Sequence, residues 1–333
     1  MILVTGGTGL VGAHLLAELV QKYTLVRATR RANSDLEAVR NVFALYGSSR
    51  VALFERIEWV EANILDLPSL EKAINGINRI YHCAAYISLN PQNYRALRKA
   101  NVEGTANVVN LALAQGIEKL CYVSSIAVLG STLNGAMVSE ETHWNPEEDN
   151  SVYAITKYGA EMEVWRGVQE GLKAVIVNPG IIMGEGFWTS GSGAIVRNAS
   201  KGGSYYTPGA SGFVDVQDVV KIMVQLMESE CSNERFVLVA ENWSYRKLQE
   251  EMSKHFGKNP PTKVAGKKLL GILGFLDRVS AFLFGTKRKL PKPVIRAMSN
   301  KTTYDSSKIL AELNFKFKPM KETIQRVVSN YSS

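Results

Sequence analysis

The chain has 333 residues, of which 46% are hydrophobic and 21% are charged, and this composition is typical of a folded globular protein. It excludes disorder, collagen and coiled coil as the main architecture. The formal net charge is +8, but residues 241–333 carry a net +12 and residues 1–240 a net −4. Because the basic character is confined to the C-terminal part, a general nucleic-acid-binding surface is disfavoured.

The cysteines and the start of the chain favour a reducing, cytoplasmic setting. Cys83, Cys121 and Cys231 form no CxxC motif and no Cys/His cluster, which predicts neither a disulfide framework nor a metal site. Met1 leads into an apolar run without a basic leader, and no uncharged apolar stretch reaches the roughly 18 residues of a membrane span. We expect inert core thiols at Cys83 and Cys121.

Short β-rich runs alternate with helical stretches over the first two thirds of the chain. The runs predicted as strands are 2–5, 25–29, 57–60, 79–83, 120–124, 174–177 and 236–240. The stretches predicted as helices are 10–22, 35–46, 68–74, 93–114, 152–169 and 216–227. This alternation predicts an α/β fold with a doubly wound parallel Rossmann sheet.

The regular alternation of predicted strands and helices ends after Pro179. Residues 184–212 are predicted to be loop-rich, and from Tyr245 onward the pattern favours short helices separated by lysine-rich breaks. We therefore expect a dinucleotide-binding domain built from 1–178 and 213–240. A smaller, mostly helical substrate-binding region would comprise 179–212 and 241–333.

A glycine-rich turn lies between the first strand and the first helix. Gly6 permits a tight turn, Gly9 allows the backbone to approach a pyrophosphate, and Gly12 allows close packing of helix on strand. The helix N-terminus adds free N–H groups and a partial positive charge. The GxxGxxG spacing at this position predicts dinucleotide binding.

The second predicted strand runs into Arg30 and Arg31 instead of the acid that binds the ribose 2′-hydroxyl of NAD, and the first acid is Asp35. Two guanidinium groups suit a 2′-phosphate, so the sequence favours NADP(H) over NAD(H). The alternative is an exposed basic loop.

Tyr153 and Lys157 are one helical turn apart, on the same face of a predicted helix. Tyr304 and Lys308 have the same spacing, so position must decide between the pairs. Ser124-Ser125 ends a predicted parallel strand, and ligands of such sheets bind at the carboxyl ends of strands. We therefore favour Ser125, Tyr153 and Lys157 as the chemical unit, and interpret Tyr304 as a packing residue.

These motifs together resemble the extended short-chain dehydrogenases/reductases, the NAD-dependent epimerase/dehydratase family. Within it, the chain is most similar to dihydroflavonol 4-reductase-like and 3-beta-hydroxysteroid dehydrogenase-like members. The matching segments, in chain order, are Thr5-Gly6-Gly7-Thr8-Gly9-Leu10-Val11-Gly12, Asn63-Ile64-Leu65-Asp66, His82-Cys83-Ala84-Ala85, Asn101-Val102-Glu103-Gly104-Thr105, Ser124-Ser125, Tyr153-Ala154-Ile155-Thr156-Lys157, Asn178-Pro179-Gly180 and Phe213-Val214-Asp215-Val216-Gln217-Asp218-Val219.

The resemblance implies a role for each catalytic position. Tyr153 would exchange a proton with the substrate oxygen. Lys157 and the positive nicotinamide ring would lower the pKa of Tyr153, and Lys157 would also bind the nicotinamide ribose. Ser125 would hydrogen-bond the substrate oxygen, and Asn101 would belong to a proton relay. The reaction implied is reduction of a carbonyl or oxidation of a secondary alcohol by hydride transfer.

The resemblance also implies contacts along the cofactor. The glycine turn would bind the pyrophosphate, and the family more often has Asp where Asn63 stands beside the adenine. The implied cofactor-binding residues are Gly6, Thr8, Gly9, Leu10, Val11, Gly12, Arg30, Arg31, Asn63, Ile64, Ala84, Ala85, Tyr153, Lys157, Pro179 and Ile182. No metal is implied. A homodimer through helices 93–114 and 152–169 is implied as well.

The substrate pocket is expected between the nucleotide-binding domain and aromatic-rich segments of the chain. An aromatic, apolar lining suits a hydrophobic or ring-bearing small molecule. The residues predicted to line it are Tyr86, Trp188, Tyr206 and Phe213.

Residues 267–289 form an apolar run flanked by lysines and arginines and interrupted by Asp277 and Arg278, so it does not fit a membrane span. Two interpretations remain open. The segment is a lid or dimer-packing helix, which we favour, or a basic amphipathic helix in peripheral contact with a membrane surface.

Three functions compete at this point. The first is an NAD(P)(H)-dependent oxidoreductase acting on CH–OH or C=O groups. The second is a nucleotide-sugar epimerase, which is weakened by Asn178 at the position where sugar-nucleotide members commonly have Arg. The third is a non-enzymatic cofactor-sensing or nucleic-acid-binding protein, which would have no need of the Tyr153–Lys157 pair.

Overall fold

The computed structural model describes residues 1–132, 135–284, 288 and 290–331. Its centre is a seven-stranded parallel sheet in the order β10-β6-β5-β4-β1-β2-β3. The strands of this sheet are β1 (Ile2–Thr5), β2 (Val26–Arg30), β3 (Ile57–Glu61), β4 (Arg79–His82), β5 (Lys119–Val123), β6 (Ala174–Pro179) and β10 (Glu234–Leu238). The predicted doubly wound Rossmann fold is confirmed.

Helices connect the strands and cover both faces of the sheet. Those before β10 are α1 (Leu10–Lys22), α2 (Leu36–Ala44), α3 (Ser48–Leu53), α4 (Leu67–Ile74), α5 (Tyr94–Leu97), α6 (Gly104–Ala114), α7 (Val152–Gln169), α8 (Gly191–Ser200) and α9 (Val216–Glu228). Those after it are α10 (Tyr245–His255), α11 (Lys267–Phe284), α12 (Lys292–Ala297), α13 (Ser307–Leu313) and α14 (Met320–Ser329).

The two faces of the sheet bury two separate apolar cores. One packs α1, α2 and α9 through residues such as Leu16, Phe43 and Met223. The other packs α4, α6 and α7 through residues such as Leu70 and Val164. Alternate strand residues serve the two cores, as the two-residue period of a strand requires.

The strand order reverses at the centre of the sheet, where β1 pairs with β2 on one side and β4 on the other. The chain leaves β1 and β4 in opposite directions there, which opens a crevice at the carboxyl ends of these strands. The glycine turn follows β1 and the Ala84–Ala85 loop follows β4, so both predicted cofactor segments border this crevice.

A second, smaller sheet lies beside the first. Its strands are β7 (Ile181–Met183), β9 (Ala210–Asp215) and β11 (Glu241–Ser244), in the order β11-β9-β7. A two-stranded sheet pairs β8 (Tyr205–Tyr206) with β12 (Lys263–Val264). An apolar cluster that includes Phe213, Trp243 and Ile324 joins the three-stranded sheet to α8, α10 and α14. The two-region division of the chain stays a prediction, and β9 begins inside the predicted substrate-binding region.

Two predicted segments differ from the structure. Stretch 93–114 is helical without a break from Tyr94, as predicted, but the segment Arg98–Glu103 within it is π-helical and lies between α5 and α6. Such π segments are frequent at functional sites. Residues 184–212 are not mainly loop, because they contain α8 and the start of β9. Of the predicted segment 267–289, residues 285–287 and 289 lie outside the described residues.

Candidate active site

Two glycines of the turn have no room for a side chain. Gly6 has φ +71°, and a Cβ there would lie 2.6 Å from the Ala84 nitrogen. A Cβ on Gly12 would lie 2.2 Å from the Gly6 oxygen. A Cβ on Gly9 would meet only the Gly6 oxygen, at 3.5 Å. Gly6 and Gly12 are therefore required by packing, whereas Gly9 leaves its outer face open to a ligand.

The first turn of α1 is suited to an anion. Its N-cap, Gly9, has no side chain with which to satisfy the first helical amides, and the turn contains no acidic residue. Free amides and the positive end of a helix bind phosphate groups. The predicted ligands Leu10 and Val11 lie in this turn. Thr8 Oγ1 lies next to it and donates to Ser34 Oγ at 3.5 Å. These residues fit a dinucleotide pyrophosphate.

A cavity of about 500 Å³ lies at the far end of the crevice. Arg31 lines it together with Asn63, whereas Arg30 does not. The carboxylates of Glu61 and Asp66 line it too, so its charge is mixed. Asn63 Oδ1 accepts from the Leu65 amide at 3.0 Å, which leaves the side-chain nitrogen to face a ligand. The structure thus brings one of the two predicted arginines to the predicted adenine contact.

The other predicted cofactor residues border the same crevice. Ile64 packs on α6, where a Cβ on Gly104 would lie 2.5 Å from its Cδ1, and Asn107 Nδ2 donates to its carbonyl at 2.9 Å. Pro179 ends β6 and Ile182 lies in β7. Ala84 contacts the glycine turn, and Ala85 next to it is exposed.

Asn101 is buried in the π-helical segment, and its amide holds the loop after β4. Its Oδ1 accepts from the Tyr86 amide at 2.7 Å, and its Nδ2 donates to the Tyr86 carbonyl at 3.0 Å and to Thr156 Oγ1 at 3.2 Å. Both amide hydrogens are therefore engaged by the protein. This geometry makes Asn101 an anchor of the Tyr86 backbone, and the relay role implied by the resemblance stays a prediction.

Ser125 and Tyr153 come together at the carboxyl end of β5. Ser125 caps the short turn after this strand, where its Oγ accepts from the Ala127 amide at 3.2 Å. Tyr153 lies in the first turn of α7, which begins after the N-cap Ser151. A hydrogen bond between the Ser125 and Tyr153 side chains joins the two elements.

Burial raises the pKa of Tyr153 above its usual value near 10, and the hydrogen bond from Ser125 only partly opposes this. The lowering of this pKa by Lys157 together with the nicotinamide ring stays a prediction for the cofactor-bound protein. At neutral pH, Tyr153 is a protonated phenol, which is the form that donates a proton.

Lys157 is fully buried, and two protein oxygens hold its ammonium. Its Nζ lies 2.5 Å from the Tyr122 hydroxyl and 2.9 Å from the Val123 carbonyl. One of the three ammonium hydrogens is left for a ligand. Burial lowers the pKa of Lys157 to about 7, and the nearby Glu161 carboxylate partly opposes that shift.

Tyr122 connects Lys157 to a buried polar network that the sequence did not reveal. Its ring stacks on His82 at 5.4 Å, and its hydroxyl hydrogen-bonds Thr105. His82 Nε2 lies 3.0 Å from Thr105 Oγ1, and His82 Nδ1 lies 2.6 Å from Thr5 Oγ1. Thr5 directly precedes the glycine turn. The network therefore runs from the phosphate-binding turn to Lys157.

A second unpredicted cluster lies beneath Ser125. Glu161 is fully buried and accepts from Ser124 Oγ at 2.5 Å and from Asn178 Nδ2 at 2.9 Å. Arg235 Nη1 pairs with it at 3.1 Å. Asn178 also donates to the Ser125 carbonyl at 3.2 Å. The only sequence signal for this cluster was Glu161, one turn after Lys157 on the same helix.

The Tyr304–Lys308 pair is structural. Tyr304 packs on an apolar cluster that includes Val138 and Val239, and burial raises its pKa to about 12. Lys308 Nζ binds Glu234 at 2.6 Å.

An apolar cavity of about 420 Å³ lies between β7, α8, α10 and α12. Leu89 joins its wall to the loop after β4, and Ile181 joins it to the segment after β6. The four aromatics predicted for the pocket do not line this cavity. Phe213 is fully buried in the apolar cluster beside the three-stranded sheet. Trp188 packs edge-on against Tyr331, and Tyr206 stacks under Arg246. Tyr86 is 39% exposed.

Other apolar and polar groups line the cavity instead. They are Leu89, Ile181, Ile195, Asn198, Ala199, Gly202, Gly203, Tyr205, Thr207, Tyr245, Leu248, Gln249, Ser253, Pro261, Val294, Ala297 and Met298. Gln249 Oε1 is buried and has no hydrogen-bond partner among the described residues, so it is an acceptor available to a ligand.

The buried thiols are unreactive. Burial raises the pKa of Cys83 to about 12 and that of Cys121 well above its usual value. A thiolate is the reactive form of cysteine, so neither residue is a nucleophile. In the part of the chain that the structure describes, no helix has the length and apolarity needed to cross a bilayer.

Residues 2–238 match the family described as the NAD dependent epimerase/dehydratase family. The chain belongs to this family. It is 27% identical to the putative dihydroflavonol 4-reductase of Synechocystis sp. (strain ATCC 27184 / PCC 6803 / Kazusa), over 98% of this chain and 92% of the relative.

Sterol demethylase protein B of Methylococcus capsulatus (strain ATCC 33009 / NCIMB 11132 / Bath) is 28% identical, over 93% of this chain and 92% of the relative. The crystal structure of gox2253 superposes with a TM-score of 0.82 at 26% identity, over 99% of this chain and 97% of that one.

These similarities confirm the resemblance stated from the motifs. The protein is a nicotinamide-dependent oxidoreductase of the extended short-chain type, acting on CH–OH or C=O groups of a small molecule. The epimerase alternative is not better supported.

Proposed function

We propose that the protein is an NADP(H)-dependent reductase of a hydrophobic, ring-bearing carbonyl compound, with Tyr153 as the proton donor. One observation carries the proposal: a Ser125–Tyr153 hydrogen bond and a buried Lys157 lie at the carboxyl end of β5. The bound cofactor supplies the hydride, and the protein supplies orientation and the proton.

The state of Tyr153 favours the reductive direction. A phenol whose pKa is raised stays protonated at neutral pH, so it donates to a developing alkoxide more readily than it removes a proton from an alcohol. Ser125 holds the tyrosine hydroxyl and presents a second hydrogen-bonding group to the substrate oxygen. The remaining ammonium hydrogen of Lys157 would bind the nicotinamide ribose.

The preference for NADP(H) depends on Arg31. Its guanidinium lines the cavity at the adenine end, where a 2′-phosphate would bind. Glu61 in the same cavity opposes that phosphate, so we expect a preference rather than exclusive use. Replacing Arg31 by alanine should raise KM for NADPH more than KM for NADH. An equal effect on both cofactors would contradict the assignment.

The substrate class follows from the apolar cavity beside β7. Its mostly apolar lining suits a hydrophobic molecule, and Gln249 offers one acceptor to a substrate hydroxyl. The names of two relatives, a putative dihydroflavonol 4-reductase and a sterol demethylase protein B, agree with ring-bearing substrates.

Asn178 disfavours the epimerase alternative. Its side-chain nitrogen is bound to Glu161 and to the Ser125 carbonyl, so it is not directed at a sugar-nucleotide phosphate. A non-enzymatic sensor would not need the buried Lys157.

We also propose that the protein is a cytoplasmic homodimer that associates through α6 and α7. Sedimentation of the purified protein would test whether it is a dimer.

The test is to follow nicotinamide absorbance across a panel of cyclic ketones, flavanone-type carbonyls and secondary alcohols. Net, stoichiometric oxidation of NADPH is expected with at least one ring-bearing carbonyl. Interconversion of a nucleotide sugar without net cofactor turnover would support the epimerase and contradict the reductase.

A further inference from the structure

We propose that the outward face of α11 binds the surface of an anionic lipid bilayer. This outer α11 face consists of Ile272, Phe275, Leu276 and Val279. Successive helical residues are rotated by about 100°, so these four positions fall within roughly 100° of arc on one side. Ile272 is 59% exposed, Phe275 65% and Leu276 55%. Four large apolar groups in one exposed stripe mark an interaction surface.

The opposite side of α11 attaches the helix to the rest of the protein. Leu270 is buried, and Gly274 packs so closely on α12 that a Cβ would lie 2.6 Å from Ile295 Cδ1. Asp277 accepts from the Leu290 amide at 3.0 Å and pairs with Arg288. Because this inner side is held, the outer α11 face is fixed toward solvent and is not an alternative packing surface of the same helix.

Of the two roles in the favoured interpretation, lid or dimer packing, a lid over the apolar cavity is disfavoured by the position of α11. Within the described residues, the apolar cavity is lined by α12 and not by α11. The helix therefore lies behind the cavity wall. No described residue covers its exposed apolar side chains, which leaves them available to a partner.

Charge selects a bilayer over a second copy of the protein. Lys267, Lys268 and Arg278 are exposed on the same helix, in a part of the chain with a net +12. A two-fold interface through this face would bring these like charges together. An anionic lipid surface complements them, and an apolar face with a basic margin is the pattern of interfacial helices.

Helix α12 connects the proposed membrane-binding face to the apolar cavity, which suggests a function for membrane binding. Val294, Ala297 and Met298 line the cavity, and Ile295 in the same short helix packs on α11. A membrane-bound protein would thus hold its apolar cavity next to the lipid in which a hydrophobic carbonyl compound dissolves. This last step depends on the proposed function, whereas the binding itself does not.

The test is co-sedimentation of the full chain with phosphatidylcholine vesicles and with vesicles of phosphatidylcholine and phosphatidylglycerol in equal parts. We expect tighter binding to the anionic vesicles, weakened by added salt. The double variant Phe275→Gln/Leu276→Gln should bind about tenfold or more weakly, because two inserted side chains are lost. Its melting temperature should be unchanged, since neither side chain is buried.

The matched control is Leu25→Gln, at a side chain that is 61% exposed on the nucleotide-binding domain. It should bind vesicles like the unaltered protein. Equal binding by the double variant, or absence of the unaltered protein from the vesicle pellet, would overturn the proposal. Conversion of a dimer to a monomer by the double variant, without vesicle binding, would assign the face to a second copy. NADPH turnover, measured separately on a water-soluble ketone, reports on the proposed function alone.

Discussion

The proposed reaction requires the hydroxyl of Tyr153 as its proton donor. Tyr153→Phe keeps the ring but removes the proton donor, so kcat should fall by about 100-fold or more. Cofactor binding, measured by fluorescence titration with NADPH, should be unchanged. Tyr304→Phe is the matched control, because Tyr304 has the same spacing to a lysine but packs in an apolar cluster. Comparable activity in the two variants would contradict the assignment.

Tyr122 is expected to position Lys157. Tyr122→Phe removes one of the two protein oxygens that hold the ammonium, so the pKa of Lys157 should fall below its present value of about 7. The ammonium form is lost as pH rises through that pKa, so the alkaline limb of the kcat/KM profile should move to lower pH. We expect a loss of roughly tenfold in kcat/KM for the cofactor near pH 7.

Tyr81→Phe provides the comparison for this pH measurement. Tyr81 is a buried tyrosine in β4 that packs in the opposite core of the same sheet. The Tyr81→Phe variant should have the same pH profile of kcat/KM as the unaltered protein. If both variants show the profile of the unaltered protein, Tyr122 is only a packing residue.

Two glycines in helices should respond in opposite ways to alanine. Gly12→Ala places a Cβ 2.2 Å from the Gly6 oxygen, so it should lower the free energy of unfolding by about 1–3 kcal/mol and weaken NADPH binding. Gly271→Ala in α11 meets no atom within 4 Å and should stabilise the protein by about 0.5–1 kcal/mol. Urea unfolding of both variants checks the signs, and two changes of the same sign would be inconsistent with this packing.

Local signals explain which elements were predictable. The bounds of α1 and α7 match the prediction to the residue, because a glycine turn and the N-cap Ser151 mark their starts. Helix α8 was missed because Gly191 and Gly193 hide its pattern. The strands β7, β9 and β11 form only when distant segments pair, as Ile181 and Phe213 do, so no single segment predicts them.

Local sequence signals also explain which residues of the candidate site were predictable. Ser125, Tyr153 and Lys157 were identified because spacing and strand ends reveal them. Tyr122 was not, because a tyrosine in a buried strand is indistinguishable from an ordinary β-former until its hydroxyl partner is known. The apolar cavity was not predicted either, because the chain folds the predicted aromatics Trp188 and Phe213 into a core and lines the cavity with residues from five separate elements.

At the scale of the whole molecule, two buried histidines make stability depend on pH. Burial lowers the pKa of His14 to about 4 and that of His82 to about 3. In the unfolded chain both bind a proton near pH 6.5, so the unfolded state holds more protons below that pH. Stability should therefore fall as pH is lowered from about 7 to about 5. Urea unfolding at both values measures this, and equal free energies would refute it.

His14→Gln separates this effect from that of the carboxylates. Burial raises the pKa of Glu185, which acts in the opposite sense because the folded state then holds the extra proton. The variant removes one titrating histidine and leaves Glu185 in place, so its stability should decline less steeply with falling pH. A slope equal to that of the unaltered protein would assign the dependence elsewhere.

Arg326 in α14 pairs with two buried carboxylates, with Glu185 at 2.7 Å and with Asp215 at 2.9 Å. Glu185 follows β7 and Asp215 ends β9, so the second sheet contains uncompensated charge until Arg326 arrives. During synthesis, the nucleotide-binding strands leave the ribosome long before this guanidinium does. The ion pairs of the second sheet can therefore form only after Arg326 has been synthesised, and we expect this sheet to complete its folding later than the nucleotide-binding strands.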